Sequence, residues 1–145
     1  MSTLDKAFMV SQMWHEILMK SSTENEVEQY KSLMGVSPVE IRIILITVAT
    51  PNLLLREYVE QLHIPKSTLT SIVNRLEKNG YLKRVINTRD KRSFGLVLEQ
   101  AGIEFAKTYA DYQKMIGEKI LKGLSEQEQE QLIVLLTKIS SYMIK

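Results

Sequence analysis

The chain has 145 residues, of which 44% are hydrophobic and 25% are charged, and its formal net charge is +2. This composition is typical of one globular domain or of two small lobes sharing a core, and it argues against disordered and fibrous proteins. The absence of cysteine excludes disulfides and thiol-based sensing of oxidants. The longest apolar run, residues 43–49, is far shorter than the roughly 20 residues of a membrane span. With no recognisable signal sequence, these features predict a cytoplasmic protein without a membrane partner.

The first part of the chain is predicted to be helical. From Leu4 to about Met19, apolar residues recur three and four positions apart, as on one face of a helix. Further apolar residues lie on the other sides of this helix. They indicate that more than one face is covered, either by a neighbouring helix or by a second subunit. The polar stretch from Ser22 to Glu28 marks either a break or a short helix that ends near Gly35.

Three helices are predicted in the middle of the chain. Residues 37–40, Ser-Pro-Val-Glu, combine a capping box with proline at the first helical position, so a helix should run from there to about Ala49. Helical spacing resumes from Leu53 to Leu62. After a short break at residues 63–65, a further helix runs from Lys66 to Asn79 and ends at a glycine.

A β-hairpin is predicted next. Tyr81–Ile86 and Phe94–Leu98 are rich in branched and aromatic residues and flank the polar stretch 87–93. Charge is concentrated here, because residues 63–92 contain eight basic and two acidic residues, a local charge of +6 that leaves −4 for the rest. One basic face on a mildly acidic body is the pattern expected of a nucleic-acid-binding protein.

Two helices complete the chain. A long one is predicted from about Glu99 to Lys122, although Gly102 and Gly117 should each cost roughly 1 kcal/mol relative to alanine. A second capping box at residues 125–128 begins a final helix that extends to Met143.

Two helices joined by a short break and followed by a basic hairpin predict a winged helix-turn-helix, whose second helix enters the DNA major groove. Apolar residues of that helix face inward, which leaves short polar groups and cations outside. Arginine is suited to guanine and lysine to phosphate, whereas hydroxyls and asparagine suit base edges or phosphates. The residues of this helix predicted to contact DNA are Lys66, Ser67, Thr68, Thr70, Ser71, Asn74, Arg75 and Lys78.

The tip of the hairpin is the second predicted DNA contact. Its charged residues, Arg89, Asp90, Lys91 and Arg92, can reach the adjacent minor groove, where negative potential attracts an inserted arginine. Asp90 lies two residues before Arg92, so its carboxylate is expected to orient the guanidinium. The alternative is a solvent-exposed cluster of charges without a partner.

The motifs in this half of the chain resemble those of the multiple antibiotic resistance regulator (MarR) family. Between Ser37 and Gly102 these are Ser-Thr-Leu-Thr-Ser-Ile-Val-Asn-Arg-Leu-Glu-Lys-Asn-Gly-Tyr-Leu (67–82), Arg-Asp-Lys-Arg (89–92) and Leu-Glu-Gln-Ala-Gly (98–102). The resemblance places the family's wing motif, Asp-x-Arg, on Asp90 and Arg92 and implies a minor-groove role for Arg92. Glu99 departs from the family's usual threonine, which leaves the start of the long helix less defined.

The resemblance also implies a fold that is mainly α with a small β-hairpin wing, in one MarR-like domain, residues 1–145. Residues 37–98 would form the DNA-binding lobe, and residues 1–34 and 99–145 the helical dimerisation region. Apolar residues on the terminal helices exceed what a two-lobed monomer could cover, which independently favours a homodimer. A two-fold dimer would recognise half-sites about one helical turn, or a multiple of it, apart.

Members of this family commonly bind small aromatic or amphipathic anions in a cleft between the dimerisation helices and the DNA-binding lobe. The resemblance therefore makes Trp14, His15, Tyr30, Met34 and Tyr109 candidates for binding an effector. The alternative is that these side chains simply form part of the core.

We expect a sequence-specific transcriptional regulator, a repressor, that binds a palindromic operator as a homodimer and is released by an effector. The alternative is a winged-helix module that binds protein instead of DNA. No phosphate-binding glycine loop or nucleophile motif is present, so we expect neither an enzyme nor a cofactor. A metal site is also not expected, because His15 and His63 are the only histidines and cysteine is absent.

Overall fold

The computed structural model describes residues 1–143, and its elements follow the order expected from the sequence. Most of these residues are helical, and two strands form one antiparallel hairpin, which confirms the predicted fold class. The elements are α1 (Thr3–Lys20), α2 (Glu24–Gln29), a 3-10 helix (Lys31–Leu33), α3 (Pro38–Ala49), α4 (Leu55–Leu62), α5 (Lys66–Lys78), β1 (Leu82–Ile86), β2 (Phe94–Leu98), α6 (Gln100–Leu121) and α7 (Glu126–Met143).

The chain divides into two compact units. One comprises Met1–Val27 and the chain from Tyr112 onward, and the other comprises Glu28–Asp111. Helix α6 contributes to both units. The predicted DNA-binding lobe, residues 37–98, falls within the second unit.

The core of the second unit lies among α3, α4, α5, the hairpin and the first half of α6. On α5, Leu69, Val73 and Leu76 are buried, as their spacing of three and four residues predicts. This burial decides which face of α5 remains outside. The other core residues are Ile43, Ile44, Leu53, Tyr58, Leu62, Leu82, Leu96 and Phe105.

A buried hydrogen-bond chain connects α4 to α3. The hydroxyl of Thr47 donates to the carbonyl of Ile43 at 2.7 Å, and the hydroxyls of Tyr58 and Thr47 lie 2.8 Å apart. Because the single hydroxyl proton of Thr47 is used on the carbonyl, Tyr58 is the donor to Thr47. Burial raises the pKa of the Tyr58 hydroxyl, which therefore remains a neutral donor.

Both predicted capping boxes are confirmed. At α3, the hydroxyl of Ser37 accepts from the backbone of Glu40 at 3.2 Å, and the Glu40 carboxylate accepts from the backbone of Ser37 at 3.3 Å. At α7, Ser125 and Glu128 make the same reciprocal pair, with distances of 3.0 and 3.2 Å. Each box satisfies backbone donors that have no partner inside the helix.

Helix α4 begins at Leu55, two residues later than predicted. Asn52 adopts a left-handed conformation with φ of 64°, and Leu54 is extended, so the chain turns before the helix starts. The side chains of Leu53 and Leu54 are nevertheless buried, because both pack inward from this turn. Their apolar character continues the helical spacing of α4, although it reflects burial alone.

Gly102 is required by a close approach between α6 and the residue before β1. A Cβ atom added to Gly102 would lie 2.1 Å from the carbonyl oxygen of Tyr81, which also accepts from the backbone of Glu99 at 3.0 Å. The prediction that alanine would be more stable than glycine is therefore wrong at position 102. At Gly117 no atom of the described chain lies within 4 Å of such a Cβ, so the expectation stands there.

The first unit exposes much of its apolar surface. Neither α1 nor α7 contains a buried residue over its described length. Among residues 1–143, no helix is both long and apolar enough to cross a membrane. The large exposed apolar residues of α1 and α7 are Leu4, Phe8, Met9, Val10, Met13, Trp14, Ile17, Leu18, Met19, Ile133, Val134, Leu135, Leu136, Ile139, Tyr142 and Met143.

A polar contact within the first unit connects α6 to α2 and to the residue that follows α1. The ammonium group of Lys119 donates to the Glu26 carboxylate and to the carbonyl of Ser21, the latter at 3.0 Å. The hydrogen bond from Lys119 lowers the pKa of Glu26.

Candidate nucleic-acid interface

The turn between α4 and α5 gives the two helices their relative direction. It consists of three residues, and the first, His63, adopts a left-handed conformation with φ of 54° and ψ of 42°. Histidine is among the few residues other than glycine that occur in this region. Pro65 then precedes α5 in an extended conformation. The predicted helix-turn-helix is present, with α4 packed behind α5.

The outer face of α5 is polar along its whole length. All eight residues predicted to face outward are exposed, whereas Leu69, Val73 and Leu76 on the opposite side are buried. This exposure is a necessary condition for entering a groove, and the DNA contacts of these residues remain predictions.

Arg75 is partly engaged by the protein itself. Its Nη2 donates to Oε1 of Glu40 on α3 at 2.9 Å, and its side chain is 54% exposed. Part of the Arg75 side chain therefore contacts the protein, and part is accessible to solvent. The contact sets how α5 is rotated about its own axis relative to α3.

Asn74 is also held by a partner outside its helix. Arg84, on β1, donates from Nη2 to the Oδ1 of Asn74 at 2.7 Å and from Nη1 to Glu77 at 2.9 Å. Arg84 was not among the residues predicted to contact DNA. The alternation along β1 contains a signal for it, because Arg84 lies on the same face of the strand as the buried Leu82.

The base of the wing is fixed by a buried asparagine. Asn87 is 2% exposed, and its Nδ2 donates to the carbonyls of Asn52 and Leu53 at 3.1 and 3.2 Å. Its Oδ1 accepts from the backbone of Arg89 at 2.7 Å and of Asp90 at 3.3 Å. Because both ends of the amide are satisfied, the wing is attached firmly to the connection between α3 and α4.

The cations of the wing point in different directions. Arg89 forms an ion pair with Glu57 on α4 at 2.5 Å. Arg92 is 92% exposed, and Asp90 accepts from its backbone at 3.0 Å and from its Nε at 3.3 Å. The expected contact between Asp90 and Arg92 is therefore present. Lys91 is exposed and has no ion pair within residues 1–143.

Ion pairs reduce the charge of this surface below the value counted from the sequence. The sum over residues 63–92 omitted three carboxylates that the fold brings close, those of Glu40, Glu57 and Glu99. Among the described residues, five of the eight cations lie within 4 Å of a carboxylate: Arg75, Lys83, Arg84, Arg89 and Arg92. The cations without such a pair are Lys66, Lys78 and Lys91.

A groove of about 610 Å³ lies between α4, α5 and the wing. Its lining includes four cationic side chains and no carboxylate. Leu55, Val59 and Phe94 line its apolar parts. Two of the four, Arg56 and Lys66, form no ion pair within residues 1–143, and a concave surface with such cations suits a phosphate backbone. The four cations are Arg56, Lys66, Arg84 and Arg92.

The residues predicted to bind an effector fall in both units. Trp14 and His15 lie on α1, where Trp14 is 50% exposed. Tyr30 and Met34 flank the 3-10 helix of the second unit, and Tyr109 on α6 stacks on Phe105 with ring centroids 6.2 Å apart. The binding of an effector by these five residues remains a prediction. Within residues 1–143, no group of three potential ligands is placed to hold a metal ion.

Comparisons with known proteins agree with this geometry. Residues 34–93 match the MarR family. Over 120 residues the chain is 32% identical to the uncharacterized HTH-type transcriptional regulator YkoM of Bacillus subtilis (strain 168), covering 82% of this chain and 77% of that protein. It is 28% identical over 107 residues to the HTH-type transcriptional repressor MdtR of the same organism, covering 73% and 68%.

Solved structures share the fold. The S. aureus MepR–DNA complex superposes with a TM-score of 0.65 at 20% identity, covering 94% of this chain and 96% of that chain. Since the related proteins are regulators, the expectation that the chain is not an enzyme is confirmed. The sequence motifs, the helix-turn-helix with its wing and these relatives lead to one conclusion: the chain belongs to the MarR family of DNA-binding transcriptional regulators.

Proposed function

We propose that the chain represses transcription by binding a palindromic operator as a homodimer. Helix α5 of each subunit enters the major groove, and the wing enters the adjacent minor groove. The observation that carries this proposal is the exposed polar face of α5 beside a groove lined by four cations. Arg92, which is almost fully exposed at the wing tip, is the residue best suited to the minor groove.

The exposed apolar residues of α1 and α7 support the homodimer. Soluble monomers rarely expose contiguous apolar patches larger than a few hundred Å². Nine large apolar side chains on α1 and seven on α7 are exposed in the single chain. A second copy that covers these helices would remove this surface from water. Its two-fold symmetry would place two α5 helices on one duplex, and the operator would then be palindromic.

Repression and release by a ligand are further parts of the proposal. The relative MdtR is named as a repressor, which supports the first part. For the second, a small aromatic or amphipathic compound would bind near the candidates Trp14, His15, Tyr30, Met34 and Tyr109. Because Trp14 is the only tryptophan, its fluorescence reports on binding. A compound that changes this fluorescence and weakens DNA binding over the same concentrations is the expected effector.

Selection of bound duplexes from a random pool, repeated at several salt concentrations, tests the DNA-binding part. We expect an inverted repeat with half-site centres about 10 base pairs, or a multiple of that, apart. Affinity should fall steeply as salt rises, because phosphate contacts release counterions. A protein that selects no duplex sequence even at low salt would instead support a winged-helix module that binds protein.

Sedimentation analysis tests the dimer. Leu18→Glu and Leu135→Glu place charges on exposed apolar positions of α1 and α7 and should shift the protein towards the monomer. The matched control, Gln61→Glu, introduces the same charge at an exposed position of α4 and should leave the dimer intact. A wild-type protein that sediments as a monomer at micromolar concentration would contradict the dimer.

A further inference from the structure

A side chain in the middle of the outer face of α5 is oriented by the wing. The Oδ1 of Asn74 accepts a hydrogen bond from the Nη2 of Arg84 at 2.7 Å. The Nδ2 of Asn74 donates to no residue of the described chain, and the side chain is exposed. One end of the amide is therefore occupied, and the other end is free to meet DNA.

Arg84 is itself fixed in place. Its backbone N–H donates to Oε2 of Glu77 at 2.9 Å, and its Nη1 donates to Oε1 of the same carboxylate at 2.9 Å. Only 21% of the Arg84 side chain is exposed, compared with 92% for Arg92 on the same hairpin. The Glu77 carboxylate thus contacts both the backbone and the guanidinium of Arg84, and the guanidinium spans from Glu77 to Asn74. A charge-assisted donor held this way is a strong constraint on the amide that accepts from it.

We propose that Arg84 is a positioning residue that makes Asn74 a hydrogen-bond donor towards the operator, so that Asn74 selects guanine. This inference rests on the proposed binding of α5 in the major groove. Bidentate recognition of adenine requires both the oxygen and the nitrogen of an asparagine amide, one for N6 and the other for N7. In Asn74 the oxygen already accepts from the cationic Arg84, so the N6 amino group of an adenine would have to share that oxygen with a guanidinium. The free Nδ2 matches the edge of guanine, which presents two acceptors, O6 and N7.

The inference is tested in the base preferences of variants of the intact protein. Selection with Asn74→Ala first locates the base pair that Asn74 recognises, as the position whose preference disappears. In the wild type we expect a G·C pair there, favoured about five- to tenfold over A·T. Arg84→Ala should reduce this ratio to below about twofold while leaving the other positions of the half-site unchanged.

A matched control separates positioning from charge. Lys83→Ala removes one positive charge from the neighbouring residue of β1, whose ion pair with Glu99 is looser, at 3.8 Å. It should leave the preference at this position intact. Glu77→Gln keeps the charge of Arg84 but weakens its attachment, so it should relax the same preference. Circular dichroism and thermal unfolding of each variant confirm that it is folded.

A double substitution completes the test. In the Asn74→Ala background, Arg84→Ala should change no base preference, because no amide remains to be oriented. The inference is overturned if Arg84→Ala lowers affinity equally for all sequences, or if the wild type prefers A·T at the Asn74 position. Failure of the wild type to select any sequence would overturn the proposed function itself, an outcome distinct from both.

Discussion

The guanidinium of Arg75 donates to Oε1 of Glu40 at 2.9 Å and so joins α5 to the first turn of α3. The same carboxylate oxygen accepts from the backbone of Ser37 and closes the capping box. Only 6% of the Glu40 side chain is exposed. One buried carboxylate therefore begins α3 and sets the orientation of α5.

Loss of Arg75 should destabilise the protein. Arg75→Ala leaves the Glu40 carboxylate buried with only the backbone of Ser37 as a donor, and we expect a loss of about 1–2 kcal/mol in the free energy of unfolding. Lys78 is also an exposed cation of α5, but it has no ion pair within residues 1–143. Lys78→Ala should therefore change the free energy of unfolding by less than about 0.5 kcal/mol. Urea denaturation measures both. Equal stabilities for the two variants would show that the pair contributes nothing.

Substitution of Arg92 should change the salt dependence of DNA binding. Because Arg92 is exposed at the wing tip, Arg92→Ala should weaken binding and lower the slope of log affinity against log salt by about one unit. Lys107→Ala, on the exposed side of α6, is the control with the same loss of charge and should leave the slope unchanged. Binding isotherms measured at salt concentrations from about 50 to about 200 mM give the slopes. A slope for Arg92→Ala equal to that of the control would argue against a contact between the wing and DNA.

The two glycines of α6 should respond to alanine in opposite directions. Gly102→Ala places a Cβ 2.1 Å from the Tyr81 carbonyl, so α6 must shift, at a cost of about 1–3 kcal/mol. Gly117→Ala meets no atom of the described chain within 4 Å and should stabilise α6 by about 0.5–1 kcal/mol. Thermal unfolding of both variants and the wild type distinguishes them. Stabilisation by Gly102→Ala would contradict the close approach.

Acid should abolish the contribution of the contact between Glu26 and Lys119. The pKa of Glu26 is lowered from 4.5, mainly by the hydrogen bond from Lys119. Because the pKa of Glu26 is lower in the folded state than in the unfolded state, the contribution is fully present above 4.5. It disappears as the pH falls through the folded-state pKa. Glu26→Gln should therefore be less stable than the wild type at neutral pH, and the difference should shrink with acidification below 4.5.

Unfolding midpoints measured across this pH range test the prediction. Glu24→Gln is the control, because it removes a carboxylate from the same short helix and Glu24 itself forms no ion pair within residues 1–143. Its difference from the wild type should stay nearly constant. A Glu26→Gln difference that does not shrink in acid would show that the carboxylate contributes nothing through its charged form.

Much of the fold follows from local patterns. The capping boxes at Ser37 and Ser125 predict where α3 and α7 begin, because a serine and a glutamate three residues apart satisfy backbone donors locally. The stripe of Leu69, Val73 and Leu76 predicts which face of α5 is outward, since periodicity alone defines it. The contact between Asp90 and Arg92 lies within one loop and was foreseen for the same reason.

Contacts between distant segments could not be predicted in this way. Glu40 and Arg75 are 35 residues apart, and so are Asn87 and Asn52. No periodicity relates such residues, because their distance depends on how the helices and the hairpin pack. The local charge counted from the sequence was too positive for the same reason, since carboxylates from outside residues 63–92 neutralise some of the cations within that range.

Local patterns along the chain were sufficient to predict the order of the elements, the family and the outward residues of α5, since each depends on neighbours within a few positions. Which side chains of α5 and of the wing remain free depends instead on contacts between distant segments. Arg75 is partly engaged by Glu40, Asn74 presents one end of its amide, and Arg92 is exposed. The physical reason is that hydrogen bonds and ion pairs depend on distances of a few ångströms, which are set when buried apolar residues bring distant segments together.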